Sequence, residues 1–401
     1  MEIKTINSES MGRSNRLAIL NLIRRYPGIS RRDLVEMTGL NPSTVTNIVF
    51  DLMKSGFVEE GGKNTTNKPG KRRVNLLPAK SAACAILIKI GVENTQIGLG
   101  YLNNDFEGID EFSTPSAPDE FLEEVDKRID KILKYSKNRI SGISISVPGI
   151  VDKNEISMKI LPHLGWKEIK IKEEIEKFTG ETHIPIYLEN EAKLSLMAEM
   201  YFNDDIQKMV NGVYIYISQG VGGALLINGE IFLGTSFTAG EIGHMSINAD
   251  GPACHCGNSG CWEEYISIDR VVQKYNSQRQ LKGSNFKSQF EDLIFRSEHD
   301  RVADEVLNEM MHYLSIGIVN IVNILNPQFV MIGGMGEKIP KRYVQIVRNE
   351  VNKKALGSAT KDLLILTSSM DMIQSALMGC TLMAMNEFSK EAFVNYLGIE
   401  R

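Results

Sequence analysis

Between Gly240 and Glu264 the chain reads GEIGHMSINADGPACHCGNSGCWEE, and three of its five cysteines fall inside this run. Thiolate and imidazole are the donors that tetrahedral Zn²⁺ prefers, so His244, Cys254, Cys256 and Cys261 make a candidate zinc set. Four protein ligands leave no open coordination position, and such a zinc is structural. Gly251, Gly257 and Gly260 are expected to supply the backbone angles that a short loop needs to wrap a metal. The other two cysteines, Cys84 and Cys380, stand alone and read as small buried hydrophobes.

Two carboxylates flank the ligands, Glu241 three residues before the histidine and Glu263 two after the last cysteine. Held stiffly beside a metal-fixed imidazole, they suit the hydroxyls of a small polar ligand such as a sugar. The plainer reading makes Glu241 a helix cap and Glu263 a solvated face residue. The order E-x-G-H followed by C-x-C-G-x-x-G-C-x-E resembles the signature of the ROK family of sugar-responsive repressors and sugar kinases. That resemblance extends over nearly the whole chain. It implies zinc on His244, Cys254, Cys256 and Cys261, and a sugar pocket lined by Glu241, His244 and Glu263.

The chain has 401 residues, 42% hydrophobic and 24% charged, which predicts two or three globular domains with ample core. It shows no apolar run of membrane-spanning length and no signal-peptide pattern, so the expected location is cytoplasmic, with no membrane partner. Clustered rather than paired cysteines fit a reducing compartment. The net charge of −5 hides an asymmetry: residues 1 to 80 carry 14 Lys or Arg against 7 Asp or Glu, leaving 31 against 43 for the remainder. A basic head on an acidic body predicts that the head meets a polyanion.

In that head, Leu17, Ile19, Leu20 and Ile23 follow helical spacing up to Pro27-Gly28. Ser30 with Asp33 reads as a cap opening a second helix that carries Leu34, Val35 and Met37. Asn41 and Pro42 then start a third helix, expected through Lys54 with Val45, Ile48, Val49 and Leu52 inward. Two helices joined by a Gly-containing turn, the second presenting Ser43, Thr44, Thr46 and Asn47, form a helix-turn-helix pattern. A strand from Phe57, a basic loop and a strand from Arg72 to Leu77 predict a wing. Lys63, Lys68, Lys71, Arg72 and Arg73 are the expected phosphate contacts, and Arg31 and Arg32 are further expected DNA-binding residues.

The body begins after a linker near Pro78. It alternates strands and helices with glycines at strand ends, an α/β pattern without internal sequence repeats or low-complexity tracts. His163 and Trp166 follow the strand ending at Pro148-Gly149; Trp166 is either core or a stacking platform for a sugar. Tyr187 to Ala192 resembles the family's Asn-Asp pair, implying sugar contacts from Asn190 and Glu191, while the pair read by itself caps a helix from Ala192 to Tyr201. Where ROK kinases carry a phosphate loop of the form D-x-G-x-T, this chain has Lys89 and Glu93. The kinase base is replaced by Glu191, and the threonine of a second Gly-rich loop, Ser218 to Gly223, by Gln219. An acid in a triphosphate cradle repels its ligand, so the expectation is no catalysis.

The expected fold is α/β: an N-terminal winged helix-turn-helix domain (1–78), then an actin-like, sugar-kinase-like ROK body. That body comprises a first lobe (84–190), a second lobe with the zinc site (191–372) and a C-terminal helix packing back (373–401). The expected partners are double-stranded operator DNA and a monosaccharide, with assembly as a homodimer or a dimer of dimers. Within the family, the segments ENEA, GHMSI and CGNSGCWE are most similar to repressors of xylose operons, which points to D-xylose as effector. The other readings are a sugar kinase that acquired a DNA-binding head, a repressor answering glucose or N-acetylglucosamine, and a zinc-dependent DNA-binding protein without a small ligand.

Overall fold

The computed structural model describes residues 8–61, 74–136, 140–179, 184–280 and 286–396. The head opens with α1 (Ser8–Arg25), which buries Ile19, Leu20 and Ile23. Helix α2 (Arg31–Thr38) starts on the expected capping box, with the Ser30 hydroxyl accepting from Asp33 N–H and the Asp33 carboxylate accepting from Ser30 N–H. Of its expected apolar face only Leu34 is buried, and Met37 is exposed. Helix α3 (Pro42–Lys54) buries Val45, Ile48, Val49 and Leu52. Asn41 stands at its N-cap position but makes no side-chain cap bond; the fixed φ of Pro42 already suits the first helical turn. Strands β1 (Val58–Glu60) and β2 (Leu76–Pro78) pair antiparallel, Glu60 opposite Leu76. The basic loop between them, with Lys63, Lys68, Lys71, Arg72 and Arg73, lies outside the described residues.

The body continues through β3 (Cys84–Lys89), β4 (Asn94–Tyr101), β5 (Phe106–Ser113), α4 (Pro118–Tyr135), β6 (Ile140–Val147), β7 (Ile150–Asp152), β8 (Ser157–Leu161), β9 (Trp166–Ile169), α5 (Ile171–Thr179), β10 (Ile186–Asn190) and α6 (Glu191–Phe202). Then come β11 (Gly212–Ile217), β12 (Val221–Ile227), β13 (Glu230–Ile231), α7 (Glu263–Ile266), α8 (Ile268–Arg279), α9 (Phe286–Arg296) and α10 (Arg301–Leu325). The last elements are β14 (Phe329–Gly334), α11 (Lys341–Lys354), α12 (Gly357–Thr360), β15 (Leu364–Thr367) and α13 (Met372–Tyr396). One five-stranded sheet runs β5-β4-β3-β6-β10 and another β13-β12-β11-β14-β15. Numbered from its own first strand, each follows the order 3-2-1-4-5. The architecture is therefore a duplicated sheet unit, although the sequence shows no repeat.

Two compact units result, one of residues 1–145, 172–187 and 380–401, the other of 146–171 and 188–379. Residues 146–171 thus group with the second unit rather than with the first lobe expected from sequence. They fold into their own sheet, β7-β8-β9, and an added Cβ at Gly220 would stand 2.6 Å from the His163 ring. Trp166 is buried, which makes it core and not a sugar platform. In the second unit, Met310, Leu314 and Ile318 of α10 pack with Val213 and Ile215 of β11. Only Ser218 to Gly220 form a Gly-rich turn there, because Val221 to Gly223 already pair with Ile217 to Ile215.

Candidate functional site

The zinc-type run is positioned from both of its ends. At its start, added Cβ atoms at Gly240 and Gly243 would lie 2.4 Å from the carbonyl oxygen of Gly223 and 2.0 Å from that of Val221, so the backbone is laid directly on β12. At its end, Trp262 is fully buried, donates its indole N–H to Tyr313 O at 2.8 Å and packs on Gly317 of α10. Between them Gly257 and Gly260 take φ of 93° and 65°. Gly251 does not show the positive φ expected of it; it is needed for space, since a Cβ there would stand 2.2 Å from the Tyr265 hydroxyl.

The result brings donor atoms of His244, Cys254, Cys256 and Cys261 within 4.8 Å of one another. Cys254 Sγ lies 3.7 Å from His244 Nδ1, and Cys256 Sγ 3.6 Å from Cys261 Sγ. Zn–S and Zn–N bonds of about 2.3 and 2.0–2.1 Å put tetrahedral ligands roughly 3.5–3.8 Å apart, so the donor set fits zinc. With Nδ1 turned to the sulfurs, His244 keeps Nε2 for a second partner.

Glu263 is buried against this knot. Its Oε1 lies 3.0 Å from Cys254 Sγ, 3.2 Å from His244 Nδ1 and 3.4 Å from His255 Nδ1. Burial favours the neutral acid, but with protons on His244 Nδ1 and Cys254 Sγ their hydrogen bonds outweigh it and hold the carboxyl down at about 2; zinc on those two atoms would replace the protons with its own positive charge. Glu263 is therefore an anion in the wall of the knot and not a solvated face residue. Glu241 makes no cap bond to the short helix that follows it. Burial lifts its carboxyl above the ordinary range, with His244 and Lys193 acting in the opposite sense. Glu241, His244 and Glu263 are thus brought together.

Asn190 caps α6: its Oδ1 accepts from Ala192 N–H at 2.9 Å, and its Nδ2 donates to Gly149 O at 3.0 Å. The capping reading holds, and the second amide hydrogen remains for a ligand. Glu191 lies against the buried Tyr216, whose phenol is pushed well above its usual range by burial first and then by that carboxylate. Beside them is a cluster the sequence did not announce. Buried Glu189 pairs with Lys153 at 2.7 Å and stands 4.0 Å from Lys193, whose Nζ donates to Phe237 O at 2.6 Å. The i, i+4 spacing of Glu189 and Lys193 was its only local signal.

His163 and His255 were also missed as site residues. The His255 ring centroid is 5.9 Å from that of His163 and 5.3 Å from that of His244. Burial lowers the His163 imidazole below its usual range, so it stays neutral at neutral pH. With Gln219, Glu263, Ser267 and Arg270 these two histidines line a polar cavity of about 260 Å³. Of the five expected sugar residues, only Glu263 lines it.

On the head, Ser43, Thr46 and Asn47 are exposed at the start of α3 and Thr44 is half-buried. The Thr46 hydroxyl donates to Pro42 O at 2.7 Å, which leaves its lone pairs outward. Arg32 is exposed with Glu36 at 2.8 Å. Arg31 is half-buried, its Nη2 3.2 Å from Glu60 Oε1 and 3.5 Å from Met53 Sδ. Phe50 on α3 is 64% exposed, a large apolar side chain at the surface that no spacing rule marked.

A winged helix-turn-helix head on a duplicated α/β body with a Cys₃His knot defines a class of protein. Its Winged helix-turn-helix DNA-binding profile covers residues 13–59 and its ROK family profile residues 85–387; the chain belongs to the ROK family. It is 30% identical over 368 residues to the xylose repressor of Bacillus subtilis (strain 168), covering 89% of this chain and 91% of that protein. With the N-acetylglucosamine repressor of Escherichia coli O157:H7 it shares 24% identity over 91% of each chain. Among solved structures it resembles a ROK family transcriptional regulator, homolog of the E. coli MLC protein, with a TM-score of 0.78 and 22% identity over 96% of this chain and 99% of that one. Among the described residues no helix is long and apolar enough to cross a membrane.

Proposed function

We propose that this chain is a transcriptional repressor that grips operator DNA and is released by a monosaccharide, D-xylose. The observation that carries the reading is one chain that joins the exposed polar start of α3 to the gathered Glu241, His244 and Glu263. The likeness to a xylose repressor over 89% of the chain supports it. The ligand chemistry follows from the residues. Glu263 as an anion accepts sugar hydroxyls, Nε2 of His244 adds a second polar contact, and Asn190 offers an amide hydrogen. Zinc, held by His244, Cys254, Cys256 and Cys261, would lock the knot and leave the chemistry of recognition to these side chains.

Release requires the sugar to bind the non-DNA conformation more tightly. In a homodimer, or a dimer of dimers, two heads hold the halves of a palindromic operator, and a change in their spacing breaks one grip. No phosphoryl transfer is assigned, because Lys89, Glu93, Glu191 and Gln219 stand at the positions where ROK kinases need other side chains. N-acetylglucosamine is the second effector to test, given the likeness to its repressor.

The deciding experiment is calorimetric titration of zinc-loaded protein with D-xylose, glucose, arabinose and N-acetylglucosamine, each with and without ATP. Saturable binding of xylose that ignores ATP is the expected result. Binding of another sugar replaces the effector, and heat that continues only with ATP replaces the repressor by a kinase.

A further inference from the structure

Helix α3 carries two opposite stripes. Val45, Ile48, Val49 and Leu52 are buried in the head; on the other side Ser43, Thr46, Asn47, Phe50 and Lys54 are exposed. At about 3.6 residues per turn and about 1.5 Å per residue, the step from Ser43 to Phe50 makes nearly two turns and advances about 10 Å. Phe50 therefore stands almost directly along the helix from Ser43, with Asn47 and Lys54 close to the same line. Hydrophobic residues scattered singly over a surface are ordinary, and Met11 and Met37, also exposed on this head, call for no explanation. Phe50 differs by its place, a ring 64% exposed in the middle of a polar stripe.

That stripe is the outer face of the second helix of the helix-turn-helix, the element that this motif lays in the major groove. The head has the charge for such a partner, with 14 Lys or Arg against 7 Asp or Glu in residues 1 to 80. Among the described residues Ser43 and Asn47 make no side-chain hydrogen bond, which leaves a hydroxyl and an amide for base edges or phosphates. Phe50 has no polar group to offer. Guanine, cytosine and adenine present hydrogen-bonding groups in the major groove, and a phenyl ring set on them would strip water from atoms it cannot pair. Thymine adds an apolar group there, its C5 methyl.

We propose that Phe50 is a specificity-determining residue of the DNA interface, its ring packing on the C5 methyl of a thymine in the operator. This rests on the operator binding proposed above and deepens it: beside polar contacts from Ser43 and Asn47, Phe50 fixes one position of the sequence without a hydrogen bond. Removing the ring should leave the head folded, because the side chain lies on the face opposite the buried stripe.

The test uses full-length, zinc-loaded protein without sugar and a DNA duplex selected by the wild-type protein from a random-sequence pool. Each thymine of the selected site is replaced in turn by deoxyuridine, which deletes the methyl and keeps every hydrogen-bonding group. The affinity of each duplex is measured for the wild type and for Phe50→Ala, whose fold a melting curve checks. The expected result is a thymine whose replacement weakens the wild type at least fivefold, while Phe50→Ala, already weaker on the unsubstituted duplex, is indifferent to it within twofold. A wild type indifferent within twofold at every thymine, or a selected site without thymine, overturns the proposal. So does a folded Phe50→Ala protein that keeps the full sensitivity, since another side chain then reads the methyl; if sedimentation also shows a changed oligomeric state, the ring belongs to a contact between two copies of the chain. A wild type that enriches no sequence from the pool removes the operator reading itself, so the two failures are distinguished.

Discussion

Glu241 and Glu263 are both carboxylates beside His244, yet their surroundings set them apart. Positive charge and donated protons in the knot hold Glu263 down, whereas burial pulls Glu241 upward. Glu241→Gln keeps the shape and removes the charge. We expect at least a tenfold loss of xylose affinity, about 1.4 kcal/mol, with zinc content unchanged, measured by calorimetry and metal analysis. Cys261 is a fully buried thiol whose role is the reverse. Cys261→Ser should abolish stoichiometric zinc and lower the melting temperature by roughly 5 °C or more, since about 2 kcal/mol moves a unit of this size by some 4–8 °C; a zinc-replete variant with wild-type melting would remove the metal from the account. These residues were legible because their spacing is local, C-x-C-x4-C with glycines between. His163, Lys153 and Lys193 were not, because the chain brings them to the site from three separate segments.

At the scale of elements, what could be read were helices with a buried stripe and a stop signal. Helix α10 carries an apolar stripe stopped by Asn326-Pro327, and runs from Arg301 to Leu325. Strand β5 escaped, because seven of its eight residues, all but Phe112, are partly or fully exposed, with no alternation to mark them. The repeat of sheet order escaped too, since topology is conserved by hydrogen bonding and not by side-chain identity. The junction of α10 with the knot was equally silent. A glycine in mid-helix costs about 1 kcal/mol against alanine, yet Gly317 is where Trp262 enters: an added Cβ would stand 2.1 Å from the indole. Gly317→Ala should therefore destabilise by about 1–3 kcal/mol despite its better propensity. It should also weaken xylose binding, because Glu263 follows Trp262 directly; a thermal denaturation curve and one titration check both, and a stabilised variant would show that the indole moves aside freely.

For the whole molecule the decisive quantity is the division of charge, a basic first 80 residues against an acidic remainder. If the head alone meets DNA, the affinity should be steeply salt-dependent while xylose affinity is nearly flat, because neutral sugar binding releases no counterions. Each neutralised phosphate contributes a slope of about −0.9 in log K against log salt. A dimer making six to ten such contacts should therefore show a slope of roughly −5 to −9. Replacing Lys71, Arg72 and Arg73 together by alanine should remove about 2.7 from that slope per head if all three reach phosphates. The same replacement should lower affinity for operator and random duplex by similar factors, since phosphate contacts carry no sequence information. Loss confined to the operator would place these cations on base edges instead. A slope left at its wild-type value would mean that the positive charge serves another partner, and the recognition of DNA would then have to come from α3 alone.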